Sequence, residues 1–323
     1  MPQPERKLIE RIQRLTRGRD GRFVGSGIGD DCAILRFPPG HHLLVTTDLS
    51  IEDVHFRRKW HPAKSVGHRC LARGLSDIAA MGGEPLVCFL SLGLPARLPQ
   101  TWVDEFFRGF QRLARRFRVP LAGGDTSAAR KITADIVVAG QVLAGKAILR
   151  SGARAGDRIY VTGELGASAA ALKKLFAGKR VSPASARSHF FPEPRLAIAR
   201  QLRLKNLATA MIDLSDGLSV DLAHICQESG VAATINAAAV PIARGAGLEL
   251  ALHGGEDYEL LFTAKPRVRI PARIAGARIT QIGCVHSQKD YPAAIRILDE
   301  NGKARTLAPR GWEHFRKRIR KRR

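Results

Sequence analysis

Acidic residues are scarce in this chain, 29 against 53 lysines and arginines, yet ten of them crowd into six short windows. The windows read Gly27-Ile28-Gly29-Asp30-Asp31, Thr46-Thr47-Asp48, Ser76-Asp77-Ile78-Ala79-Ala80-Met81-Gly82, Gly123-Gly124-Asp125-Thr126, Asp213-Leu214-Ser215-Asp216-Gly217 and Gly254-Gly255-Glu256-Asp257-Tyr258-Glu259. Acids that merely solvate a surface do not concentrate in this way. Carboxylates on tight turns are hard oxygen ligands. Mg²⁺ takes one or two of them per ion and completes its shell with water and phosphate oxygen. The pattern implies magnesium-dependent phosphoryl transfer.

Each window alone has a plainer explanation. Asp30 and Asp31 fit an Asx turn, Ser215 fits a helix N-cap, and Arg150 fits a solvated surface. Asp77 is harder to dismiss, because an acid among Leu75, Ile78, Ala79 and Ala80 is costly unless a cation pairs with it. Asp48 ends a strand beside two threonine hydroxyls, and Asp125 follows two glycines that would let a phosphate approach the backbone. Several such acids at element ends in one half of the chain point to a shared cluster. Other phosphate-binding devices are missing. There is no G-x-x-x-x-G-K-[ST] loop and no protein-kinase set. Gly25-Ser26-Gly27-Ile28-Gly29 leads into a strand, not a helix, so it is a weak dinucleotide signal.

The elements that must carry these residues follow from periodicity. An amphipathic helix covers Leu8 to Leu15, and strands cover Ala33 to Phe37 and Leu43 to Asp48, joined by a Pro-Pro-Gly turn. Pro62 to Met81 is expected to be helical. Leu86 to Leu94 reads as a buried strand. From Gln100, the residues Trp102, Phe106, Phe110, Leu113 and Phe117 form one apolar stripe at helical spacing, which is core. Val119 to Ala122 and Ile132 to Leu143 add strands, with Gly123-Gly124 expected at a strand end. Beyond a Gly-rich junction at Ser151 to Asp157, strands are expected at Arg158 to Thr162, Ala208 to Asp213, Tyr258 to Thr263, Ile279 to Gly283 and Ala294 to Leu298. Helices are expected at Gly166 to Phe176, Arg195 to Leu202 and Gly217 to Glu228, and Ala177 to Ser188 reads as a surface loop. The expectation is an α+β fold of two mixed domains, 1–150 and 151–323, the second ending in a basic tail at 316–323.

Composition narrows the setting. Five cysteines without a C-x-x-C pair suggest neither a zinc site nor a disulfide framework. No apolar run approaches the ~18 residues of a membrane span, and the polar N-terminus does not read as a signal peptide. A cytoplasmic protein is expected, with no membrane partner. The net charge of +24 would attract nucleic acid nonspecifically, chiefly through the tail. Only three tyrosines and three tryptophans are present to stack on bases, so a nucleic-acid binder that lost catalysis is the lesser alternative.

Taken together, G-I-G-D-D, T-T-D…V-H-F, S-D-I-A-A-M-G, G-G-D-T, R-S-G-A…G-D, D-L-S-D-G-L and G-G-E-D-Y-E-L-L-F-T resemble the thiamine-monophosphate kinase family in order and spacing. That family lies within the superfamily of aminoimidazole ribonucleotide synthetase, selenophosphate synthetase and a hydrogenase-maturation protein. The resemblance implies ATP as co-substrate, thiamine monophosphate as acceptor, several Mg²⁺ ions, and a homodimer joined through N-terminal sheets. It implies metal ligation by Asp30, Asp31, Thr46, Thr47, Asp48, Asp77, Asp125, Asp213 and Asp216, with Asp48, Asp77 and Asp125 carrying the transfer. By the same match Gly124, Asp125, Arg150 and Ser215 would contact ATP, and His55, Glu256 and Trp312 would contact thiamine monophosphate. The chain departs from the pattern at Gly74, where an Asn is usual, and at Ser127, where a second Thr is usual. Another phosphoryl-transfer member of the superfamily is the nearest rival. A selenophosphate synthetase would want a reactive Cys in the Gly-rich segment, whereas Cys32 follows the Asp pair.

Overall fold

A computed structural model describes residues 5–16, 23–26, 34–290 and 294–311. Asp30, Asp31, Cys32, Trp312 and the tail at 316–323 lie outside the described residues. The first half comprises α1 (Glu5–Thr16), β1 (Val24–Ser26), β2 (Ile34–Leu35), β3 (His41–Ile51), α2 (Ala63–Ala80), β4 (Glu84–Leu94), α3 (Gln100–Phe117), β5 (Leu121–Ala128) and β6 (Thr133–Leu143). The second half comprises β7 (Arg158–Thr162), α4 (Ala167–Phe176), α5 (Arg187–Phe190), α6 (Leu196–Leu204), β8 (Ala210–Asp213), α7 (Leu218–Ser229), β9 (Val231–Asn236), α8 (Leu248–His253), β10 (Leu260–Ala264), β11 (Arg273–Ile274), β12 (Ala277–Ser287), β13 (Ile295–Leu298) and β14 (Ala304–Thr306).

Two mixed sheets result. The first is ordered β3-β6-β4-β5, antiparallel except for the parallel pair β4–β5. The second is ordered β14-β13-β9-β12-β7-β10-β8, with β11 beside β12. Helices α2 and α3 cover one face of the first sheet. The stripe on α3 is buried as its spacing requires, with Phe106, Phe110 and Leu113 in the core and Trp102 and Phe117 packed against it. Full burial of such a side chain contributes roughly 1.5–3 kcal/mol. Gly67 and Gly109 let the two helices touch backbone to backbone. A Cβ at Gly67 would stand 2.0 Å from the Phe106 carbonyl oxygen, and one at Gly109 would stand 1.9 Å from that of Lys64.

Alternation along β3 sorts its residues onto two faces. Thr46 and Asp48 pair in register with Val138 and Ile136 of β6. Those two side chains are the ones a Cβ at Gly74 of α2 would meet, so this is the helix-covered face. Leu43, Val45 and Leu49 on the other face are 50%, 59% and 44% exposed, and Thr47 stands among them. Val24 of the β1–β2 hairpin packs on Leu86, Val87, Ala122 and Ala139, covering another part of the first sheet.

Two expectations need correction. Gly123-Gly124 does not end a strand: β5 continues to Ala128 because its parallel ladder with β4 runs unbroken from Phe89 to Leu94. Gly124 is required there because a Cβ would stand 1.9 Å from the Leu90 carbonyl oxygen, and its φ is 149°. Ser215 is not an N-cap either. Helix α7 starts after Gly217, and Asp221 inside its first turn accepts from the backbone N–H groups of Asp216 and Gly217.

Candidate active site in the cleft along α2

Helix α2 delivers a row of charged side chains. Arg69, Arg73 and Asp77 recur every four residues, so they lie along one face of the helix. That face borders a cleft of about 580 Å³ whose lining includes Asp48, His55, Arg73, Asp77, Asp213, Ser215, Asp216 and Glu256. Its walls come from β3, the 52–62 loop, α2, α4, α5, the β8–α7 turn and the Gly255–Tyr258 segment.

At the acidic end, Asp48 accepts from Arg73 Nε at 2.7 Å, and Asp77 accepts from Thr46 Oγ1 at 2.5 Å. Asp213 ends β8 and accepts from Ser76 Oγ at 2.6 Å, which ties α2 to the second sheet. Burial pushes Asp48 and Asp77 up to about 6, against the pull of Arg73 on both. Repulsion from Asp77 adds to the rise of Asp48, and repulsion from Asp213 adds to that of Asp77. Burial also raises Asp213, opposed by the Ser76 hydrogen bond and by the nearby Arg150 guanidinium. These are oxygen donors held close against their mutual repulsion, which a divalent cation would relieve. Among the described residues no three Asp, Glu, His or Cys side chains converge on a single ion position. The donor set fits Mg²⁺, which needs only one or two carboxylates per ion beside water and phosphate.

Farther along α2, the buried Arg69 guanidinium donates to Glu256 Oε1, to the His189 carbonyl oxygen and, at 3.4 Å, to the His55 carbonyl oxygen. Burial alone would raise the Glu256 carboxyl, but Arg69 and then Arg73 outweigh it and hold it down at about 2. Glu256 is therefore an anion fixed in the cleft wall. Its segment is held in an uncommon backbone, with φ of 65° at Glu256 and 51° at Tyr258, a cost that persists where surroundings over-determine it.

The remaining sequence-derived residues are distributed as follows. Asp48, Asp77, Asp213, Asp216, Ser215, His55 and Glu256 line the cleft. Thr46 reaches it through Asp77, and Arg150 stands near enough to act on both Asp77 and Asp213. Thr47, Gly124 and Asp125 are not brought to it. Asp125 is in register with Ser91, and Ser91 with Asp135, which pairs with Leu49 on the exposed face. Strand β5 is also the edge farthest from β3, about 14 Å away at three strand spacings. Sequence reading missed Arg69 and Arg73, although their i, i+4, i+8 relation to Asp77 is visible in the sequence. It also missed Trp60, His61 and Phe176, which carry no spacing signal.

The fold and the cleft define a chain of the aminoimidazole ribonucleotide synthetase type. Models of the AIR synthase related protein N-terminal and C-terminal domains match residues 29–142 and 154–303. A thiamine-monophosphate kinase from Salmonella typhimurium is 36% identical over 309 residues, covering 90% of this chain and 92% of the relative. A crystal structure of thiamine-monophosphate kinase from Stenotrophomonas maltophilia superposes with a TM-score of 0.81 at 34% identity, covering 92% of this chain and 96% of that one. A second structure, of AaThiL complexed with AMPPCP and TMP, superposes with a TM-score of 0.77 at 31% identity, covering 95% and 96%. The chain belongs to the thiamine-monophosphate kinase family.

Proposed function

We propose that this protein transfers the terminal phosphoryl group of ATP to the phosphate of thiamine monophosphate, giving thiamine diphosphate and ADP. The observation that carries this reading is the acidic end of the α2 cleft, present in a chain of this family. The relative complexed with AMPPCP and TMP supports both substrates. The acceptor is already an anionic phosphate oxygen, so no strong base is needed. The difficulty is alignment of two anions.

Asp48, Asp77, Asp213 and Asp216 would hold Mg²⁺, with Asp30 and Asp31 assigned to the same cluster. Bound there, Mg²⁺ supplies neutralisation of phosphate charge. Arg73 fixes the Asp48 carboxylate, and Thr46 and Ser76 fix those of Asp77 and Asp213. Arg150 and Ser215 are proposed for ATP. His55, Glu256 and Trp312 are proposed for the acceptor, Glu256 as a permanent anion for a cationic ring system.

A homodimer through the first sheet is a linked proposal. It is supported by the row Leu43, Val45 and Leu49, since monomers rarely leave contiguous apolar faces open. Thr47 and Asp125 share that face, so their proposed metal roles, and those of Asp125 and Gly124 toward ATP, require the face to belong to the completed site. A division of the chain near residue 150 is supported by the interval between the two matched models. Among the described residues no helix is long and apolar enough to cross a membrane. A cytoplasmic location is proposed because the reaction consumes ATP.

The test is to supply ATP and Mg²⁺ with thiamine monophosphate, with thiamine as control acceptor, and separate the products by chromatography. Thiamine diphosphate is expected from the monophosphate alone. ADP without thiamine diphosphate would overturn the acceptor. Steep salt-dependent nucleic-acid binding with no nucleotide turnover would favour the nucleic-acid alternative instead.

A further inference from the structure

The far end of the cleft is aromatic. Trp60 of the 52–62 loop meets Phe176, the last residue of α4, edge to face with centroids 4.9 Å apart. Neither belongs to the buried core, and Phe176 is 61% exposed. Two half-open rings brought together from separate halves of the chain are binding surface more than packing. They already hold a cation. The Arg57 guanidinium carbon sits 4.5 Å from the Trp60 ring centroid and 5.1 Å from that of Phe176, within cation–π range of both.

The two jaws are tied at their base. His61, next to Trp60, shares a hydrogen bond with His189 across Nε2 atoms 3.1 Å apart. His189 Nδ1 is in turn 2.9 Å from Ser168 Oγ in the first turn of α4. The order along α2 is therefore aromatic jaws at its N-terminal end, the Arg69–Glu256 pair midway, and the acids near its C-terminal end. Arg69 and Asp77 are separated by ~12 Å along the axis at about 1.5 Å of rise per residue.

We propose that Trp60 and Phe176 select the acceptor by receiving the heteroaromatic ring farthest from its phosphate, and that Arg57 is a resident group which that ring displaces from the two aromatic faces. The inference rests on the acceptor reading above. A phosphate placed among the acids and their metal leaves the organic body pointing past the Glu256 anion towards these rings. Arg57 then swings to solvent, and its backbone carbonyl, which accepts from Trp60 and His61 N–H groups, keeps the loop in place.

The test is equilibrium binding by calorimetry of thiamine monophosphate, ATP with Mg²⁺, and inorganic phosphate, to wild type and to Trp60→Ala, Phe176→Ala, Trp60→Phe and Arg57→Met, with thermal melts confirming folding. Trp60→Ala and Phe176→Ala should each weaken thiamine monophosphate about tenfold and leave ATP and phosphate unchanged. Trp60→Phe should retain most of the affinity. Arg57→Met should bind the acceptor more tightly than wild type, an effect a purely structural Arg57 would not produce. Unchanged acceptor binding in both alanine variants, or equal weakening of all three ligands, overturns the inference while leaving the kinase reading intact. Weaker acceptor binding in Arg57→Met overturns the displacement. A wild type that binds ATP but not thiamine monophosphate overturns the acceptor reading and this inference together.

Discussion

At the scale of single residues, Asp77 shows how a group proposed for chemistry burdens the fold. It is half-buried near Asp213, and its carboxyl is raised to about 6 because the anion is unwelcome there. Asp77→Asn keeps an acceptor for Thr46 and removes the repulsion. At pH 7.5 without metal, the variant should be more stable than wild type by on the order of 1–3 kcal/mol, read from denaturant unfolding. Its turnover should fall at least about a hundredfold, which a stability gain alone cannot explain. The acidic windows were legible in the sequence because glycine marks the turns that present them. Arg69 was not, because the carboxylate it fixes, Glu256, lies 187 residues away. Local spacing places a side chain on a helix face but does not name the partner that folding brings opposite it.

At the scale of elements, α2 and α3 were legible from spacing and apolar stripe, whereas β9, α8 and β14 were not expected. These are short, and β9 (Val-Ala-Ala-Thr-Ile-Asn) offers no clear alternation. Its strand character comes from pairing with β12 on one side and β13 on the other. Strand β5 was read short because Gly-Gly is a common stop signal, which close packing against β4 overrides here. The α2–α3 crossing carries its own prediction. Gly109→Ala drives a methyl into the Lys64 carbonyl, so α2 must shift or bend. Stability should drop by at least about 2 kcal/mol. Turnover in the fraction still folded should also fall, since Arg69, Arg73 and Asp77 all ride on that helix. Wild-type kinetics in a destabilised Gly109→Ala would show that the site does not depend on the placement of α2.

At the scale of the whole molecule, acid response and assembly are set by groups acting together. Burial lowers His61 and His68 to about 4 and His189 to about 3, from an ordinary value of 6.5. Their depressed values remove stability as pH falls below 6.5, since the unfolded chain takes up protons that the folded one refuses. Asp48 and Asp77 act oppositely: raised to about 6 from 3.8, they cost stability above pH 6 and restore it on acidification. The two slopes offset each other in wild type. Asp77→Asn removes part of one, so its stability should decline more steeply than wild type between pH 6.5 and 4, and its advantage should vanish below pH 4. For the proposed homodimer, Val45→Glu places a charge in the open row of β3 and should yield monomers in sedimentation with reduced ATP turnover. A Val45→Glu monomer with full activity would separate the site from the dimer.

The buried cluster around α2 does not stop at the junction between the two halves. It runs from Leu71, Leu75 and Phe106 without interruption to Tyr160, Leu202, Met211 and Phe262. A hinge opening between the halves would have to expose that continuous apolar surface to water, at roughly 25 cal/mol for each Å². Traffic of nucleotide and product therefore falls to the surface loops at the cleft mouth, not to a swing of one half against the other. Saturation with substrates should leave the radius of gyration measured by small-angle scattering nearly unchanged, even as turnover proceeds.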